Sequence, residues 1–199
     1  MDPSLSNENS DAPRPPAKRR RLRWYLMGSC LLLAAFAYVL LAPTTDDDFR
    51  KKMITEAMAR SIATSVDSFS MENGNLPVPK TVGPAPDAKF MTDATPGVEI
   101  LEILMGKDLT GNPRAVSYLK IKERKDRKSG PIYDKRTGKL TALLDAWGNP
   151  YHLVLDTDYN EEITVNLMGK EEKIPGKRVL VYSAGKDGKL ETADDIRSW

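Results

Sequence analysis

The sequence predicts an α+β protein: a long N-terminal helix, transmembrane and then amphipathic, packed on a small antiparallel C-terminal sheet. Three observations predict it. Residues 24–42 are nineteen residues without a charge, about 28 Å long as a helix and close to the hydrocarbon thickness of a bilayer. Residues 46–71 repeat apolar side chains at helical spacing. In the C-terminal third, three β-rich runs follow one another: Tyr151–Leu155, Glu162–Leu167 and residues 178–183.

The flanks of the apolar stretch orient it. Lys18-Arg-Arg-Arg-Leu-Arg23 precedes it and Pro43-Thr-Thr-Asp-Asp-Asp48 follows, the pattern of a single span with its N-terminus inside. Residues 1–23 are then expected to be a disordered cytoplasmic tail, rich in Ser, Asn, Asp and Pro. Residues 24–42 form a transmembrane helix in the inner (cytoplasmic) membrane. Residues 43–199 form an extracytoplasmic, periplasmic domain. The tail holds six basic against three acidic side chains, more than the whole chain's net charge of +2. The outer part is therefore near neutral, which argues against a nucleic-acid partner.

Cys30 is the only cysteine, so no disulfide forms within the chain. Its neighbours Met27-Gly-Ser loosely resemble a lipoprotein cleavage site, but the apolar run follows the cysteine where a signal peptide needs it beforehand. A cleaved signal peptide is the other alternative. No small-x-small site is well placed, and Ala42-Pro43 is a poor cut, so an uncut anchor is expected.

After the span, Pro43 interrupts or kinks the helix. Thr45 with Asp48 reads as a capping box. Ile54, Met58, Ile62, Val66 and Phe69 then form a core-facing stripe opposite Arg50, Lys51, Glu56, Arg60 and Asp67, and Asn73-Gly74 stops the helix. Residues 76–96 hold five prolines and read as an excursion without structure. Residues 96–105 predict a short second helix ended by Gly106, and Asn112-Pro113 breaks the chain again. Residues 115–121 suit a short strand or a helical turn, and residues 120–139 a charged, exposed loop. The three C-terminal runs predict an antiparallel meander, with turns at 156–160 and 169–176. Three strands alone are marginal, so the sheet is expected to bury its apolar face against the amphipathic helix.

One constellation carries candidate chemistry. Ser183-Ala-Gly-Lys-Asp-Gly-Lys-Leu-Glu-Thr-Ala-Asp-Asp-Ile196 places Asp187, Asp194 and Asp195 on a glycine-containing loop after the last strand. Hard cations take carboxylate, carbonyl and water oxygens in flexible geometry, and Glu191 and Thr192 can add oxygens. It is not an EF-hand, because Asp187 is followed at once by Gly188-Lys189. A solvated acidic turn, partly neutralised by Lys186, Lys189 and Arg197, explains the same residues. His152 is the only histidine, in a strand where a structural or exposed imidazole is expected. No phosphate loop is present, and neither Ser/His/Asp nor Cys/His catalysis is supported. An enzyme is not expected.

Two segments resemble a known family. Asp145-Ala-Trp-Gly-Asn-Pro-Tyr151 is similar to the Asp-x-Trp-Gly-x-Pro-Tyr signature of the type II secretion system major pseudopilins, the protein G family. Tyr182-Ser-Ala-Gly-Lys-Asp-Gly188, with Asp194-Asp195-Ile196, resembles that family's calcium loop. Both occur in the family's order, and the resemblance covers residues 24–73 in layout and 143–199 in motif. It implies a pilin-like fold and Ca²⁺ bound by Asp187, Asp194 and Asp195, with carbonyls near Ser183 and Leu190 as further ligands. It also implies that Asp145, Trp147, Gly148 and Tyr151 build a turn entering the strand, with the indole packed on the helix. In the family, calcium orders this loop and supports pseudopilus assembly. The family's processing site, a Gly followed by Phe-Thr-Leu-Ile-Glu, does not precede or enter residues 24–42. The expected function is a membrane-anchored structural subunit for protein transport, with other pseudopilins or secretion-system subunits as partners and homo-oligomerisation as a further expectation. The alternative is a permanently anchored binding or sensing module.

Overall fold

The structure is a computed structural model that describes residues 45–83, 85–122, 128–167 and 169–199. The expected tail and anchor at 1–42 lie outside the described residues. Among the described residues no helix is long and apolar enough to cross a membrane. The chain divides into two units, Met1–Thr44 and Thr45–Trp199, and the second holds two hydrophobic clusters among the described residues.

The amphipathic helix is α1, Thr45–Asn73. Ala59, Ile62, Val66 and Phe69 recur every three or four residues and are buried, which is the stripe that the spacing predicts. Ile54 departs from that expectation: it is 38 % exposed, and the fully buried Thr55 takes the core-facing place beside it. The helix stops at Gly74, whose φ of +73° suits a residue without Cβ, and whose N–H donates to Ser70 O at 2.8 Å.

The central sheet is four-stranded and antiparallel. Its strands are β1 (Ala88–Met91), β4 (Tyr151–Leu155), β7 (Val179–Ser183) and β8 (Ile196–Arg197), in the spatial order β1-β4-β7-β8. Strand periodicity divides the side chains between two faces. Phe90, Tyr151, Leu153, Leu155, Val179 and Val181 pack with α1 and with α2 (Thr95–Leu104). Val154 and Leu180 point the other way and are covered by Ile163, Val165 and Ile174. These belong to the hairpin of β5 (Glu162–Leu167) and β6 (Lys170–Pro175). Both faces of the central strands are covered, so their sequences run apolar with little alternation.

Five expectations are corrected. The three β-rich runs do not form a meander: β4 pairs directly with β7, while β5 turns back on β6 as a separate hairpin. The stretch 169–176, read as a turn, therefore contains a strand. Strand β1 arises inside the proline-rich excursion, and β2 (Gly130–Tyr133) inside the charged loop, where it pairs with β3 (Leu140–Leu144). Such short strands carry little pattern, and partners distant in sequence specify them. Residues 115–121 form neither strand nor helical turn. They are held open by Asn112, which is buried and donates to Ile103 O at 2.9 Å and Val116 O at 2.8 Å.

Candidate functional site

Two turns meet at one end of the sheet, and Asp145 joins them. This residue, 1 % exposed, follows β3. Its Oδ1 accepts the N–H groups of Trp147, Gly148 and Asn149 at 2.8, 2.7 and 2.8 Å. A carboxylate is the side chain that can accept several converging amides, and such charge-assisted bonds are the stronger class. Its Oδ2 accepts the Ser183 hydroxyl at 2.5 Å, and the Ser183 oxygen accepts Gly185 N–H at 3.1 Å. Asn149 donates to Gly185 O at 2.7 Å. The turn also reaches α1, because Ala146 N–H donates to Thr55 Oγ1 at 3.2 Å. The two segments that carry the sequence motifs, some forty residues apart, thus share a buried hydrogen-bond network.

Beyond Ser183 the chain makes the acidic loop. Gly185 has φ +63°, and a Cβ there would lie 2.3 Å from Asp194 O, so the two arms of the loop close only over glycine. Asp194 accepts Asp187 N–H at 3.0 Å through Oδ2 and the Thr192 hydroxyl at 2.7 Å through Oδ1. These bonds, that of Thr192 first, hold its carboxyl below the ordinary value. Asp187 accepts Lys189 N–H at 2.8 Å. The Asp195 side chain is only 3 % exposed, and its Oδ2 accepts Glu191 N–H at 3.0 Å. Its Oδ1 is sealed from solvent without a hydrogen-bond partner, and burial pushes this carboxyl up. The nearest cation, Arg197 Nη2, is 3.9 Å away on the already occupied Oδ2.

The expected ligands accordingly fall into two groups. Asp187, Asp194 and Asp195 stand in one loop. Leu190 is exposed at its tip, and Ser183 lies buried at its root with its hydroxyl committed to Asp145. The loop is docked at two further points. Lys186 forms an ion pair with Asp48 of α1, which holds the Asp48 carboxyl below its usual value. Glu191 accepts Gly169 N–H at 3.1 Å from the turn between β5 and β6. The unpaired buried oxygen of Asp195 is a donor of the kind a hard cation takes, but the carboxylates of Asp187, Asp194 and Asp195 do not converge as a set within 4.8 Å of one another.

A second acidic cluster emerges only from the fold. Antiparallel pairing of β1 with β4 sets Ala88 opposite Leu155, and this brings Asp87 beside Asp156 and Asp158. Their oxygens lie within 4.8 Å of one another, and this is the one such acidic group among the described residues. Asp156 is 2 % exposed and accepts the N–H groups of Asn160 and Glu161, both at 3.0 Å. Burial and then the neighbouring Asp158 push its carboxyl up. Asp87 Oδ2 accepts Thr164 N–H at 2.9 Å, whereas its Oδ1 is sealed and unpartnered. Asp156 and Asp158 show in the sequence only as turn residues, and Asp87 lies in the proline-rich stretch. The missing signal was the β1–β4 register. His152 stacks on Tyr182 with ring centroids 5.1 Å apart, a packing role for the only imidazole.

No protein-family model, curated protein or solved structure matches this chain.

Proposed function

We propose that the chain is a membrane-anchored, pseudopilin-like structural subunit of a type II secretion or related pilus-like system. Residues 24–42 are its anchor in the inner membrane, and Thr45–Trp199 is its pilin-like extracytoplasmic domain. The observation that carries this reading is the buried junction of the two motif-bearing turns, Asp145 with Ser183 and Asn149 with Gly185, against a long helix. That junction ties β7 and the loop after it to α1, the arrangement of a rigid strut rather than of a pocket for turnover.

Ca²⁺ stiffens the loop in this reading, held by the carboxylates of Asp187, Asp194 and Asp195 with carbonyls at Ser183 and Leu190. Asp195 Oδ1, buried and unpartnered, is the oxygen with most to gain from a cation. The ion would supply charge neutralisation. The residues of the chain supply the closed loop, its ties to α1 and to the β5–β6 turn, and the exclusion of water around Asp195.

Crosslinking in intact membranes followed by purification of the full chain tests the role. Recovery of pseudopilins or other secretion-system subunits is the expected result. An anchored chain with no such neighbours would replace the subunit role by that of a solitary anchored binding module.

A further inference from the structure

Helix α1 carries two apolar features on opposite sides. Phe49 is 64 % exposed, and Met53, one turn on, is 50 % exposed; the turn before them is acidic, Asp46-Asp47-Asp48. At about 100° per residue, Phe49 projects some 140–180° around the helix from Ile54 and Met58. Those two residues line a crevice of about 290 Å³ whose further apolar walls include Leu143, Leu144 and Ala146. Lys120 and Lys122 also line it; both are exposed, and neither forms an ion pair with a described residue.

We propose that this crevice receives Phe49 of a second copy of the chain, with that copy's acidic first turn facing Lys120 and Lys122. An aromatic side chain that fills an apolar pocket buries about 150–250 Å² and dominates a small interface. Aspartates before the ring and lysines beside the pocket set its direction of entry. The one carboxylate lining the crevice, Asp145, does not repel the incoming acidic turn, because amides and Ser183 already surround it. Asp47 and Asp48 pair in their own copy with Arg50, Lys51 and Lys186, and Asp48 also meets Trp147; such ion pairs near the surface are weak, so a neighbour's lysines can compete for these carboxylates.

The symmetry follows from the helix geometry. Ring and crevice lie on opposite sides of one helix, so no copy fills its own crevice and identical patches do not meet. The contact is heterologous and leaves a free ring at one end and a free crevice at the other, so it propagates. With parallel helices, adjacent copies are staggered by five to nine residues, about 8–13 Å along α1. The contact names a partner for the subunit role proposed above and rests on that role to bring anchored copies side by side.

The test uses the full chain in a Cys30→Ser background, purified in detergent. Phe49→Cys and Ala146→Cys are prepared separately and then mixed under mild oxidation. Disulfide-linked dimers are expected in the mixture and not in either variant alone. Phe49→Glu is expected to weaken self-association at least about tenfold in sedimentation with an unchanged Tm, since the ring touches no core. Lys120→Glu with Lys122→Glu weakens it likewise, and mixing with Asp46→Lys plus Asp47→Lys restores it. Absence of the mixed product, a dimer in Phe49→Cys alone, capture of a different protein by Ala146→Cys in membranes, or undiminished association of Phe49→Glu would overturn the contact. Co-purification of secretion-system subunits with Phe49→Glu separates the two proposals, because it sustains the role whichever way the contact falls.

Discussion

Two acidic groups among the described residues are built in opposite ways. Asp187, Asp194 and Asp195 are neighbours in sequence, yet each turns a carboxylate toward loop amides, and of the three only Asp195 keeps a buried oxygen unpaired. Asp87 is some seventy residues from Asp156 and Asp158, yet strand pairing gathers the three within 4.8 Å. Proximity along the chain therefore shapes a loop without converging its charges, whereas a strand register converges charges that share no local pattern. Burial has a cost in both: it raises the carboxyls of Asp156 and Asp195, one in each cluster.

The largest effect expected concerns how the clusters are supported. Asp145→Ala removes the acceptor for three backbone amides and the Ser183 hydroxyl. Unpaired buried donors cost about 1–3 kcal/mol each, and water entry relieves part of that, so about 4 kcal/mol should be lost in urea unfolding of Thr45–Trp199. Asp156→Ala strands two amides at the other cluster, and about 2–3 kcal/mol is expected. A larger loss at Asp156 than at Asp145 would mean that the β1–β4 end, not the motif junction, holds the sheet together.

Calcium discriminates between the clusters more directly. Saturating Ca²⁺ should raise the Tm of Thr45–Trp199, with a stabilisation of about 2.7 kcal/mol at a hundredfold excess over Kd, and EDTA should reverse it. Asp195→Asn is expected to abolish the shift and Asp87→Asn to leave it. The reverse pattern would move the cation to the cluster that the fold assembles.

A pH series gives a smaller and more local signal. In the absence of metal, the folded-state pKa of Asp195 lies above its unfolded value, so between the two the native protein binds more protons than the unfolded chain. Stability contributed by this group is present below the unfolded pKa and is lost as pH rises through the folded one. The stability difference between wild type and Asp195→Asn should therefore shift against wild type as pH rises from the ordinary carboxylate range toward neutrality. A difference independent of pH would show that Asp195 is not strained by burial. The smallest change belongs to Lys186→Ala. It removes only an exposed tie to Asp48, and no measurable shift of the urea midpoint is expected.

How far each region was readable follows from the same contrast. The stripe Ile62, Val66 and Phe69 announces α1 because one helix face meets one core. The runs at Tyr151 and Glu162 announce strands because β-branched and aromatic residues cluster there. The acidic loop is visible as composition, and the Asp145 turn through its likeness to a known motif. Neither signal says that Ser183 gives its hydroxyl to Asp145, which depends on how β3 and β7 end beside each other. Strands β1 and β2 were invisible, since four residues among prolines or charges carry no period. Their pairing partners decide them.

By itself, the amino-acid sequence determined the α+β class, the long helix with its glycine stop, two central strands and an oxygen-rich loop after the last one. Each depends on interactions within a few residues: helical spacing, β-propensity, turn chemistry. Only the tertiary structure decided the strand order β1-β4-β7-β8, the separate β5–β6 cover, the Asp87–Asp156–Asp158 cluster and the crevice opposite Phe49. These depend on contacts between segments far apart in the chain, where a partner's position, rather than a residue's own preference, sets the energy.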